Sequence, residues 1–166
     1  RSNLEYYLTV GLNSNIKQKD FERRKLNLVV VLDISGSMSM GFNNGYLPHD
    51  GHRGLSKMKT ANQCVLSLIT NLKPDDRFGL ILFDHNTRIQ MEMMKVKEHR
   101  IQSFQDILNI EPNGATNFEL GYKEGLDMFQ RCWSKSNNEG GIDEYENRLM
   151  FMTDACPNAG RTDPNS

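Results

Sequence analysis

The chain is expected to fold as an α/β domain around a mostly parallel sheet, and three observations carry that expectation. Residues 28–32 are a short, continuous, largely β-branched apolar run, the composition of a strand buried on both faces. Residues 78–83 form a second short apolar run, also read as a buried strand. Between them Met58, Ala61, Val65, Leu68 and Leu72 recur at three- and four-residue spacing, which lays one apolar stripe along a helix.

Taken in order, Leu4, Tyr6, Leu8, Val10 and Leu12 alternate with mostly polar neighbours and read as a half-buried strand. Residues 17–25 are dense in charge and read as a solvated connector. Asp20 and Glu22 interrupt the basic run, which argues against nucleic acid. Residues 1–25 are thus an N-terminal strand and connector, and 26–166 the main domain. The first core strand covers 26–32. Residues 38–55 form a long glycine-containing loop with Pro48 and the cluster His49, Asp50, Gly51, His52. The two histidines are weak candidates for a second metal, because the loop offers no other clear ligand. The helix over 56–72 is stopped by Pro74. After the strand at 78–83, residues 84–87 are turn chemistry. Residues 88–96 read as a third strand. The short gap before it demands an antiparallel hairpin, because a parallel return needs a long crossover.

Ile101, Phe104 and Leu108 suggest a short helix, ended by Pro112 and Gly114. A longer helix follows, with Phe118, Tyr122, Leu126, Phe129 and Trp133 expected along one side. Gly121 and Gly125, four apart, would let it approach the sheet closely. A polar connector at 134–146 leads to a fourth strand at 148–153.

Composition narrows the function classes. Lysine plus arginine total 20 and aspartate plus glutamate total 21 in 166 residues, a net charge of −1. That balance gives no general reason to expect nucleic acid or an anionic membrane as partner. No apolar run approaches the ~20 residues of a membrane-spanning helix. Cys64, Cys132 and Cys156 are widely separated and odd in number, so they read as free buried thiols rather than a zinc site.

The chemistry concentrates where the first strand ends. Asp33, Ser35 and Ser37 are spaced by two, on one side of an extended chain, with Gly36 allowing a turn. Ligand sites of open α/β sheets lie at such carboxyl ends of strands. Asp33-x-Ser35-x-Ser37 resembles the metal-ion-dependent adhesion site (MIDAS) of the von Willebrand factor A (VWA) family. Two further pieces match in order: Thr116 within residues 113–117, and Asp154 after the strand at 149–152. The resemblance covers about residues 26–157. It implies a Rossmann-like VWA fold, with one antiparallel edge strand and helices on both faces. The lead-in 26–31 is similar to that of inter-α-trypsin-inhibitor heavy chains and related bacterial and protist members.

The resemblance assigns Ser35, Ser37 and Thr116 as hydroxyl ligands, and Asp33 and Asp154 as carboxylates that bind directly or through water. All five groups offer oxygen, which suits a hard divalent cation: Mg²⁺ first, with Mn²⁺ as a laboratory substitute and Ca²⁺ behind it. The implied partner is another protein that donates an Asp or Glu carboxylate to the metal. Asp33→Ala is expected to abolish that binding with the fold intact.

Other readings fit less well. Thr116 and Glu119 also match a helix capping box. A VWA-like domain with an empty site is the structural alternative. A Mg²⁺-dependent phosphohydrolase using Asp33 as nucleophile lacks its acid/base aspartate, since that position is Ser35. Ser35 also lacks the flanking pattern of a nucleophile elbow. The odd cysteines and the lack of an Asn-x-Ser/Thr sequon tilt toward an intracellular protein, but secreted members are common. Finally, a VWA domain would continue beyond the last strand. The expectation is a C-terminally incomplete domain with an open edge there, completed by further strands, domains or another chain.

Overall fold

The computed structural model describes residues 23–42, 55–135 and 144–154. The strand expected at 4–12, the histidine cluster at 49–52 and Cys156 lie outside them. The described residues form one four-stranded sheet, in the order β3-β2-β1-β4. β1 is Lys25–Asp33, β2 Arg77–Phe83, β3 Thr87–Lys95 and β4 Tyr145–Met152. β1 pairs in parallel with both β2 and β4, while β2 pairs antiparallel with β3. The mostly parallel sheet and the single antiparallel hairpin agree with the expectation.

Alternation along β1 and β2 divides the core in two. Leu28, Val30 and Leu32, with Phe78, Leu80 and Leu82, face α1 (Lys57–Thr70) and α2 (Ile101–Ile107). Val29 and Val31, with Ile81 and Phe83, face α3 (Phe118–Lys135). The continuous apolar runs therefore feed both layers, which is why they lack alternation.

The helices follow the expected order but not always the expected face. α1 starts where Ser56 accepts the Lys59 N–H at 3.2 Å, as an N-cap should. It buries Met58, Asn62, Val65 and Ile69, and Asn62 donates to the Ile110 carbonyl at 3.0 Å. In α2 the inward residue is Ile107, whereas Ile101 and Leu108 are exposed. In α3 the buried positions are Gly121, Gly125, Met128, Phe129 and Cys132. Phe118, Tyr122, Leu126 and Trp133 remain about two-fifths to one-half exposed. The close approach expected of Gly121 and Gly125 is present, whereas of the large side chains expected along one side only Phe129 is buried. The glycines take that face because the space against β1 and β2 is already filled by Val31 and Phe83. The ring of Phe118 instead stacks on Phe151 of β4, with centroids 4.3 Å apart. One further correction concerns the thiols: Cys132 is buried, with the Arg77 guanidinium donating toward its Sγ at 3.7 Å, but Cys64 is exposed.

β4 is the edge of the sheet among the described residues, and Met150 on it is exposed. Among the same residues, no helix is long and apolar enough to cross a membrane.

Candidate metal centre

The chain runs outward from β1 through β2 to β3, and then returns to the other side of β1 as β4. Strand order thus reverses at β1. The crevice at the carboxyl ends of β1 and β4 is the place such a sheet offers a ligand. Asp33 closes β1 there, and Asp154 follows two residues after β4.

Asp33 is fully buried. One carboxylate oxygen accepts the Ser35 N–H at 2.7 Å, and the other accepts the Thr153 hydroxyl at 2.6 Å. The first bond curls the chain into a 3-10 turn over Gly36–Ser39. That turn brings the Ser35 and Ser37 hydroxyls within 3.0 Å of each other. Ser37 then donates to Asp154 Oδ1 at 3.0 Å, and Lys57 Nζ donates to Asp154 Oδ2 at 2.9 Å. Asp33, Ser35, Ser37 and Asp154 therefore share one hydrogen-bonded cluster, built from two strand ends.

The Thr116 loop is pinned to the same turn by backbone bonds. Gly36 N–H donates to the Gly114 carbonyl at 2.9 Å, and Asn113 N–H donates to the Ile34 carbonyl. Gly114 has φ +79°, a left-handed conformation that favours glycine. A Cβ there would also meet Asp84 Oδ2 at 2.9 Å. On the far side of the loop, Asn117 N–H donates to the Asp84 carbonyl at 2.7 Å. Thr116 itself is buried, 1% exposed. It does not cap α3. Asn117 takes that role, with its Oδ1 accepting the Leu120 N–H at 3.4 Å.

Asp154 also carries the electrostatic signature of the site. Burial pushes its carboxyl up, but the Lys57 and Ser37 hydrogen bonds and the Lys57 charge outweigh it and hold the group below the usual carboxylate range. The acid is thus kept ionised, the state a metal ligand needs.

Three contributors were missed in the sequence. Thr153 braces Asp33, Asp84 braces the Thr116 loop, and Lys57 pairs with Asp154. Asp84 read as turn chemistry, and it does accept the Asn86 N–H at 2.7 Å. Lys57 left one readable trace. It occupies the first residue of α1, where the positive end of a helix disfavours a cation.

The donor set fits a hard cation: two carboxylates and three hydroxyls, with no sulfur or imidazole. Among the described residues no three His, Cys, Asp or Glu side chains gather to hold a metal, so any ion here would rely on the hydroxyls. Asp33 is also structural. Its carboxylate is the buried acceptor for the Ser35 N–H and the Thr153 hydroxyl, so Asp33→Ala removes structural hydrogen bonds as well as a candidate ligand.

An open, mostly parallel α/β sheet with acids and hydroxyls at its switch point defines a Rossmann-like α/β domain. The von Willebrand factor type A domain model matches residues 28–156, and the chain belongs to that family. Human inter-alpha-trypsin inhibitor heavy chain H1 is 29% identical over 144 residues, covering 82% of this chain and 13% of that protein. An uncharacterized protein of Synechocystis is 33% identical over 148 residues, covering 89% of this chain and 29% of that protein. The chain thus spans less than a third of the length of these relatives. Among solved structures, proximal thread matrix protein 1 from the mussel byssus, with a zinc-occupied MIDAS motif, aligns with a TM-score of 0.56 at 19% identity, over 82% of this chain and 33% of that one. At that identity the likeness is one of fold.

Proposed function

We propose that this domain is a metal-dependent protein-interaction module rather than an enzyme. Asp33, Ser35, Ser37, Thr116 and Asp154 hold one Mg²⁺, directly or through water. The observation that carries the reading is the continuous cluster from Asp33 through the two serines to Asp154, with the Thr116 loop fastened to the same turn. The zinc-occupied MIDAS of the mussel protein supports a divalent ion in a domain of this fold.

When bound, a divalent ion would supply a Lewis acid for an Asp or Glu carboxylate on a partner's surface; the two carboxylates would offset its charge and the three hydroxyls would be neutral donors. The chain's own residues hold the geometry: Thr153 and the Ser35 N–H fix Asp33, and Asp84 and the Gly36 N–H fix the loop that carries Thr116. A second reading, a structural domain whose Asp154 is permanently neutralised by Lys57, is favoured by that ion pair.

Mn²⁺ distinguishes the two. Saturable Mn²⁺ binding seen by electron paramagnetic resonance is expected, and it should be lost in Ser35→Ala/Ser37→Ala. Water-proton relaxation by the bound Mn²⁺ should then fall when a Glu-containing peptide displaces a metal-bound water. Absence of saturable binding into the millimolar range would remove the adhesive reading and leave the structural one.

A further inference from the structure

We propose that Lys57 is a built-in counter-cation that lowers the metal affinity of the site by competing for Asp154. The inference rests on the metal-dependent reading above and concerns the regulation of the same site. Its ammonium lies 2.9 Å from Asp154 Oδ2, while Asp154 Oδ1 accepts from Ser37. The pair is largely shielded, with side-chain exposure of 20% for Lys57 and 9% for Asp154. Its position is set by backbone rather than by chance. Lys57 N–H donates to the Met40 carbonyl at 2.9 Å, and Gly41 and Ser56 form a bridge beside it. The end of the serine turn and the start of α1 are therefore locked together, and the lysine stem has a short, fixed reach to the acid.

Such a pair is hard to explain as helix stabilisation. α1 has no acidic residue in its first turn, and a cation at its first position opposes the helix dipole. The ion pair offsets that cost by giving the ammonium a carboxylate partner at 2.9 Å. A divalent ion that uses Asp154 must share or displace the ammonium, and it then stands close to a positive charge. The consequence is a site of moderate affinity whose metal occupancy depends on salt, because the repulsion between the two cations is screened by ions. Lys57 is a positioning and tuning residue; the ligands are unchanged.

The test is Mg²⁺ titration by calorimetry on the whole chain, comparing the parent with Lys57→Met and Lys57→Arg. Methionine keeps the unbranched stem and removes the charge, and thermal melts without metal check that each variant is folded. Lys57→Met should bind Mg²⁺ about tenfold more tightly at low salt, the order Coulomb's law gives for a monovalent and a divalent charge a few ångströms apart in a high-dielectric setting. The gain should shrink in high salt, and Lys57→Arg should bind like the parent. If the parent binds and Lys57→Met binds equally or more weakly, the counter-cation role is overturned while the metal site stands. If neither protein shows saturable Mg²⁺ binding, the metal site itself is wrong and this role falls with it.

Discussion

Replacing Gly121 by alanine tests how α3 is seated, and with it the position of the Thr116 loop. In an exposed helix the change should stabilise, because alanine is about 1 kcal/mol better than glycine. Here the new Cβ would lie 3.0 Å from both Phe83 Cγ and Val31 Cγ1. Both neighbours are fully buried, and the Phe83 ring is held edge-on by Phe118 and Phe151 at 6.2 and 6.1 Å. Neither can move aside, so the helix must lift, and overpacking of this kind costs about 1–3 kcal/mol. The net expectation is a loss of about 1 kcal/mol, or roughly 2–4 °C in Tm for a domain of this size. Gly125→Ala is the internal control. Its closest contact, 2.7 Å, is to a terminal methyl of Leu149, a half-buried residue on the edge strand that can rotate away. That variant should be near neutral. Urea denaturation followed by circular dichroism ranks the two. A Gly121→Ala protein more stable than the parent by the full helix-propensity gain would refute the close seating of α3.

Asp33→Ala should lose about 1–3 kcal/mol, because the Ser35 N–H and the Thr153 hydroxyl lose their buried acceptor. Asp33→Asn, which retains one acceptor oxygen, should lose less; equal stability of alanine variant and parent in urea would contradict the site geometry. Gly114→Ala forces a left-handed φ of +79° on a residue whose Cβ would meet His85 Nδ1 at 2.6 Å. It should cost about 1–2 kcal/mol and weaken Mg²⁺ binding through Thr116; calorimetry showing unaltered affinity would detach the loop from the metal. His99 contacts the Phe78 carbonyl at 3.0 Å beside the Phe78 and Phe104 rings. Burial pushes its imidazole below the usual value of 6.5, against the smaller raising effects of the Phe78 and Met94 carbonyls and Glu98. The folded state therefore holds this proton less well than the unfolded chain. The His99 contribution to stability is full above pH 6.5 and is lost as pH falls through the depressed value. His99→Gln should flatten the pH dependence of the urea midpoint between about pH 5 and 7; an unchanged slope would assign it to other groups.

Much of the fold was legible because the strongest patterns are local. An unbroken β-branched run such as 28–32 has no exposed face to spend, so it had to be a central strand. The three-residue gap before Thr87 left only a hairpin for β3. The core face of α2 was read less well: Ile101 and Leu108 are exposed and Ile107 is buried in their place. In α3 the glycine pair marked the close approach, because Val31 and Phe83 fill the space that only Gly121 and Gly125 could enter.

The site divides in the same way. Asp33, Ser35 and Ser37 are neighbours in the chain, so the sequence marked the strand end where their oxygens gather, although a 3-10 turn rather than an extended chain brings them together. Tertiary structure decided the rest. Parallel pairing of β1 with β4 carries Thr153 to Asp33 across 120 positions of sequence and Asp154 to Ser37 across 117, and the locked start of α1 brings Lys57 to Asp154. Hydrogen bonds of that range depend on which strands become neighbours, and strand order is settled by how the whole core packs, not by any one segment.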